Sequence, residues 1–112
     1  MRSSSRMASA IILITLGCVP LLPSYAAGGD AAAGRKKANA CAVCHGPMGL
    51  SVNPGAPHLA GQPAIYLVEQ MKDYRSGKRA NPVMAVIAKP LTDQEIADLA
   101  AWYASIEIQL KP

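Results

Sequence analysis

The chain has 112 residues, with no phenylalanine, one tryptophan and four tyrosines. That bounds it to one small domain, too short and too poor in aromatics to fill a large core from its own side chains. Eleven basic residues stand against seven acidic ones, and no basic run exceeds Arg35-Lys36-Lys37; such a triplet is a solvated helix face, not a nucleic-acid footprint.

Taken in chain order, the first feature is a leader. Met1 to Arg6 holds two arginines and no acid, Met7 to Leu22 is mostly apolar, and Ser24-Tyr25-Ala26 sets small residues at −3 and −1 of a cut after Ala26. This is the three-part layout of a secretory signal peptide. A membrane anchor is the competing reading, but Pro20 and Pro23 interrupt the apolar stretch and a span needs about 20 unbroken apolar residues. Cys18 follows a glycine, as a lipid-anchored cysteine would, but Thr15 stands where such sites prefer leucine. The expectation is therefore a signal peptide over 1–26, a mature domain over 27–112 and no stable membrane anchor. Loss of Arg2 and Arg6 leaves nine basic and seven acidic residues, a net charge of +2.

Three helices follow. The first is expected over about Asp30 to Ala42, alanine-rich and capped by Asp30. Gly34 within it weakens the helix unless another helix approaches closely there. The second is expected over Pro63 to Ser76, stopped by Gly77, with Ala64, Leu67, Val68, Met71 and Tyr74 on one stripe. The third is expected over Asp93 to Ile108. Thr92 and Glu95 form a capping-box pattern, Leu91 and Ile96 a hydrophobic staple, and Ile96, Leu99, Ala100, Tyr103 and Ile106 a buried stripe with Trp102 on its flank. Residues 46–62 carry four glycines and three prolines and read as a loop; residues 78–90, containing "NPVMAVIAKP", read as a second. Loops this long in a small domain wrap something functional. The pattern is all-α, with no strand and no internal repeat.

The chemistry concentrates in Cys41-Ala42-Val43-Cys44-His45. A single disulfide across so short a loop constrains the unfolded chain little. A zinc cage needs further ligands at suitable spacing, and beyond the leader only His58 remains. A redox dithiol expects strands alternating with helices around the motif. C-x-x-C-H is also the attachment sequence of c-type haem: each thiol adds to one vinyl group and the histidine ligates the iron. That reading needs no residue the chain lacks, supplies the large apolar centre, and agrees with export.

The mature region resembles the class I c-type cytochromes, and is especially similar to one half of the dihaem cytochromes called c4. The resemblance spans about residues 30–106. It is carried by the pieces "CHG", "P.LAGQ", "YL..Q...YR.G.R" and "N..M", and by "KPLTDQEIADLAAWYASI". It implies an all-α cytochrome c fold, three main helices and long loops wrapped around one haem held by Cys41 and Cys44, with His45 under the iron. For the opposite axial position the mature chain offers Met48, Met71 and Met84. Met48 is tied to the His45 side and Met71 belongs to the helix stripe. Met84 lies in the second loop and stands where the family has its axial methionine, a thioether that closes the iron and raises its potential. His58 beside Pro57 is the alternative, and is expected at the surface.

The resemblance further implies that Pro57 accepts a hydrogen bond from His45 through its carbonyl and that Leu59 packs on the haem. It places Tyr66, Tyr74 and Arg75 near the haem edge or propionates. For the tyrosines, ordinary packing is the alternative; for Arg75, a solvated charge. Gly34 matches the position where the first helix crosses the last. By family register it meets Trp102, whereas the helical stripe favours Tyr103.

These features lead to a periplasmic carrier of single electrons, not itself an enzyme. It would be a monomer serving redox-protein donors and acceptors such as a respiratory complex, a terminal oxidase or a periplasmic dehydrogenase. The docking face would be the haem edge ringed by Ala42, Gly46, Pro47 and Met48. A haem subunit of a periplasmic oxidoreductase complex is the alternative. A gas-binding or peroxidatic protein would need an open sixth position and a distal histidine or arginine set, which the sequence does not display.

Overall fold

The computed structural model describes residues 28–111. The expected signal peptide and Cys18 lie outside them. Among the described residues the elements are helical: α1 (Ala31–Lys37), a 3₁₀ turn (Ala38–Ala40), α2 (Ala42–His45), α3 (Ala64–Ser76), α4 (Pro82–Ala88) and α5 (Asp93–Ala104). No helix among them is long and apolar enough to cross a membrane.

The expected first helix is three pieces. Asp30 caps it as expected, its carboxylate accepting from the backbone N–H groups of Ala32 and Ala33 at 2.8 and 3.3 Å. After Lys37 the winding tightens, then relaxes into the single turn of α2 that carries Cys44 and His45. Gly46 ends that turn at a φ of 81°.

The packing centre is α1 against α5. A Cβ added at Gly34 would lie 1.9 Å from the carbonyl oxygen of Asp98, so backbone meets backbone and no side chain fits between. At its closest, Gly34 thus meets the Asp98–Leu99 backbone of α5, where the sequence pattern had pointed to Trp102 or Tyr103. Asp98 is buried and fastens the same crossing: its Oδ1 accepts from the Asp30 backbone N–H at 2.7 Å and from the Gln94 amide at 2.8 Å. A buried carboxylate needs such partners, because an unpaired one costs several kcal/mol.

On α5 the capping box is present: Glu95 donates its backbone N–H to Thr92 and the Glu95 carboxylate accepts from the Thr92 backbone N–H. Ile96, Leu99, Ala100 and Tyr103 are buried, with Leu91, Trp102 and Ile106 packed at the margin of the core. The helix stops at Ala104, four residues short of the expected Ile108. Arg35 stacks on the Trp102 ring at 5.3 Å from its centroid, which holds the flank.

On α3, Pro63 caps rather than begins the helix, and Gly77 ends it at a φ of 82°. Leu67 is buried in the core, Val68, Met71 and Tyr74 are half-buried, and Ala64 is exposed. The Arg75 guanidinium donates to the Leu91 carbonyl at 2.8 Å and pairs with Asp93, tying α3 to the start of α5. Lys72 joins the same carboxylate.

The segment expected as an unbroken second loop contains α4. Asn81 accepts from the backbone N–H groups of Val83 and Met84 at 3.1 and 2.9 Å, and Pro82 takes the first helical position, where its missing N–H costs nothing. The Asn-Pro pair was the signal. Two turns are too short to show a periodic stripe, which is why periodicity missed it.

Gly34→Ala is expected to destabilise by about 3 kcal/mol through backbone collision, and Gly77→Ala by about 1–2 kcal/mol through its left-handed φ. Denaturant midpoints at an unchanged m-value check that order. A second outcome concerns acid. The Asp93 carboxyl is held below its ordinary range by Arg75 and then Lys72, and that of Glu95 by Lys37 and then the Thr92 backbone. Both pairs therefore stabilise the fold above the ordinary carboxylate range, and the contribution fades as pH falls through the depressed values. Asp93→Asn should flatten the loss of stability on acidification, read from denaturant midpoints across that window.

Candidate functional site

A cavity of about 390 Å³ lies between two walls, one built by Ala40, Cys41 and α2 and the other by α4, on the α3–α5 frame. On one wall the single turn of α2 presents Cys44 and His45, with Cys41 just before it; on the other, α4 presents Val83, Met84 and Ile87. Leu59, Leu67, Met71, Leu99, Ala100 and Tyr103 complete an apolar lining.

His45 is 7% exposed. Its Nδ1 lies 2.8 Å from the Pro57 carbonyl oxygen. A carbonyl only accepts, so Nδ1 carries the hydrogen and donates, and Nε2 keeps its lone pair free for a metal. Such a bond fixes ring orientation and raises ligand basicity. Pro57 is held in reach by the loop itself: Gly49 accepts through its carbonyl from the backbone N–H groups of Leu59 and Ala60.

Cys41 and Cys44 are not joined to each other as a disulfide; Cys41 is half-buried and Cys44 exposed. Burial pushes the Cys41 thiol up, outweighing the Tyr103 hydroxyl and Lys37, which lower it. Burial, then the Cys41 neighbour, push the Tyr103 phenol far above its usual value. Its hydroxyl is buried beside Cys41 but meets no group in good hydrogen-bond geometry, and the residue belongs to the cavity wall.

Cys41, Cys44, His45, Pro57, Leu59, Tyr66, Tyr74 and Met84 all line this one cavity; Arg75 does not. Its guanidinium is spent on Leu91 and Asp93. Arg79, Gln70 and Asn81 line the cavity instead, and the sequence reading passed over all three. Met71 also lines it, while Met48 is exposed outside it. His58 is exposed and turns its Nδ1 to the Ser51 backbone N–H at 2.8 Å. Among the described residues no three His, Cys, Asp or Glu side chains gather as a cage for a bare metal ion.

The donor set fits a haem. Two thiols one helical turn apart sit at one edge of the cavity. A histidine with a free Nε2 and a methionine thioether come from different walls, and the rest of the lining is apolar.

A family model described as Cytochrome c matches residues 31–107. Cytochrome c4 of Pseudomonas aeruginosa is 48% identical over 94 residues, covering 84% of this chain and 45% of that protein. A thiosulfate dehydrogenase electron acceptor of Thiomonas intermedia is 36% identical over 114 residues, covering the whole of this chain and 50% of that protein. The crystal structure of reduced recombinant cytochrome c4 from Pseudomonas stutzeri superposes with a TM-score of 0.68 at 37% identity, covering 71% of this chain and 47% of that one. The chain thus spans about half the length of these relatives.

Proposed function

The chain belongs to the cytochrome c family, whose cofactor is covalently bound haem c, and from that premise we propose that it is a periplasmic carrier of single electrons with one His/Met-ligated haem. The observation that carries the reading is the common cavity of Cys41, Cys44, His45 and Met84. When bound, haem supplies a one-electron iron couple that makes and breaks no covalent bond.

The residues provide the rest. The two cysteines anchor the ring edge as thioethers. His45 ligates through Nε2, oriented by Pro57. Met84 would supply its thioether to the iron from α4, whose first turn the Asn81 cap holds in place. Two ligands fixed in their own elements would let the geometry change little between oxidation states, as fast transfer requires. The closed iron also argues against gas binding and against catalysis by this chain.

Exposure suits the docking role. Val43 between the cysteines is 87% exposed, and Cys44, Pro47 and Met48 beside it are exposed too. A small apolar face fits brief encounters with redox proteins. The mature charge of +2 is offset by two propionates at about −1 each, so steering of the whole molecule by charge is weak. Export follows from cleavage after Ala26, in keeping with attachment of haem c outside the cytoplasm. A second reading, the haem subunit of a periplasmic oxidoreductase complex, draws its support from the similarity to a thiosulfate dehydrogenase electron acceptor.

Met84→Ala should open the sixth position. The ferrous variant is expected to bind CO readily while the wild type does not, with covalent haem retained in both. CO binding by the wild type, or a variant that keeps a low-spin methionine-ligated spectrum, would contradict Met84 as the ligand.

A further inference from the structure

The bond from His45 to Pro57 is one link of a closed ring. His45 Nδ1 donates to the Pro57 carbonyl at 2.8 Å. The next residue, His58, turns its own Nδ1 to the Ser51 backbone N–H at 2.8 Å. Ser51 Oγ meets the Cys44 carbonyl at 2.8 Å, the shorter of its two carbonyl contacts, and Cys44 directly precedes His45. The ring thus returns to its start. Two further ties hold the same loop: the Gly49 carbonyl accepts from the Leu59 and Ala60 backbone N–H groups, and the Gln62 amide donates to the His58 carbonyl at 2.6 Å. These act after Pro57 in the chain. The Ser51–His58 bond is the tie that reaches it through a side chain.

That link is the one a proton can open. A backbone N–H only donates, so His58 Nδ1 accepts and the ring is neutral with its hydrogen on Nε2. An imidazolium carries N–H on both nitrogens and leaves Ser51 no acceptor. His58 is exposed, so solvent protons reach it. No other side chain of residues 46–62 titrates. The hollow beside the ring is lined by Ser51, Val52, Asn53, Pro54, Ala56 and Pro57, none of them charged. Among the described residues, the ion pairs and hydrogen bonds of charged side chains leave His58 aside.

We propose that His58 is a positioning residue for His45: neutral, it holds the Pro57 carbonyl against the ligand, and protonated, it releases that hold and the reduction potential rises. The assignment rests on the haem reading above. A well-placed carbonyl makes His45 a more basic ligand, which favours ferric iron. Releasing the carbonyl favours ferrous iron. The positive charge that arrives on His58 acts in the same direction, so the two effects must be separated by variants. Imidazole changes charge between about pH 5 and 8, which sets the window in which the link opens.

The test is equilibrium potentiometry of the purified haem-loaded protein across that window at one ionic strength. The wild-type reduction constant should be about threefold larger at the acid end than at the alkaline end, a shift of ~28 mV at 59 mV per decade for one electron. His58→Asn keeps an acceptor for the Ser51 N–H and cannot take a proton. It should match the wild type at the alkaline end and lose most of the step; what remains belongs to the haem propionates. His58→Leu removes the acceptor without adding charge. Its constant should stand about twofold above that of the wild type at the alkaline end, where a pure charge effect leaves the two equal. A full wild-type step in His58→Asn, or His58→Leu at the wild-type value at the alkaline end, would overturn the assignment. Should His58→Leu fail to fold, His58→Asn decides alone. A wild type without covalent haem would instead sink the reading on which it rests, so the two failures are distinguishable.

Discussion

The closeness of α1 and α5 is the constraint on which the site depends. Gly34 lets the two backbones touch at Asp98, and the buried Asp98 carboxylate locks the contact through Asp30 and Gln94. Because α1 is pinned there, the tightened turn after Lys37 and the single turn of α2 deliver Cys41, Cys44 and His45 to one side of a cavity. Because α5 is pinned there, its stripe presents Leu99, Ala100 and Tyr103 to the same cavity.

The opposite wall is held by different means. Between α3 and α5 lies an ion-paired strap, Arg75 and Lys72 on Asp93, rather than a close backbone crossing. Exposed pairs contribute little individually, and α4 is a two-turn helix that starts at its Asn81 cap, packs against α3 and buries Ala88. On the proposed ligation, His45 and Met84 would come from parts of the chain about 40 residues apart, held by different elements. The ligand bond itself would then complete the tie between α4 and the frame.

The sequence showed the chemistry more clearly than the geometry. Cys41, Cys44 and His45 are adjacent in the chain, so their motif is local. The Thr92–Glu95 box and the α5 stripe are periodic or short-range signals, and both are where they were expected. Gly34 announced a close approach, but its partner was a backbone, which no side-chain pattern encodes. Arg75 and Arg79 differ by one turn on paper, and only the fold shows that Asp93 takes the first while the second curls over Tyr74 to the cavity. The helix α4 was hidden because two turns give a cap without a period.

The central claim is that the core of this protein is completed by one covalently attached haem. A reduced pyridine haemochrome spectrum of the exported protein, taken with its mass under denaturing conditions, tests that claim most directly. The account predicts the spectrum of haem c with two thioether links and the mass of residues 27–112 plus one haem. A protein that releases its haem on denaturation, or one with two free thiols or a disulfide at Cys41 and Cys44, would contradict it.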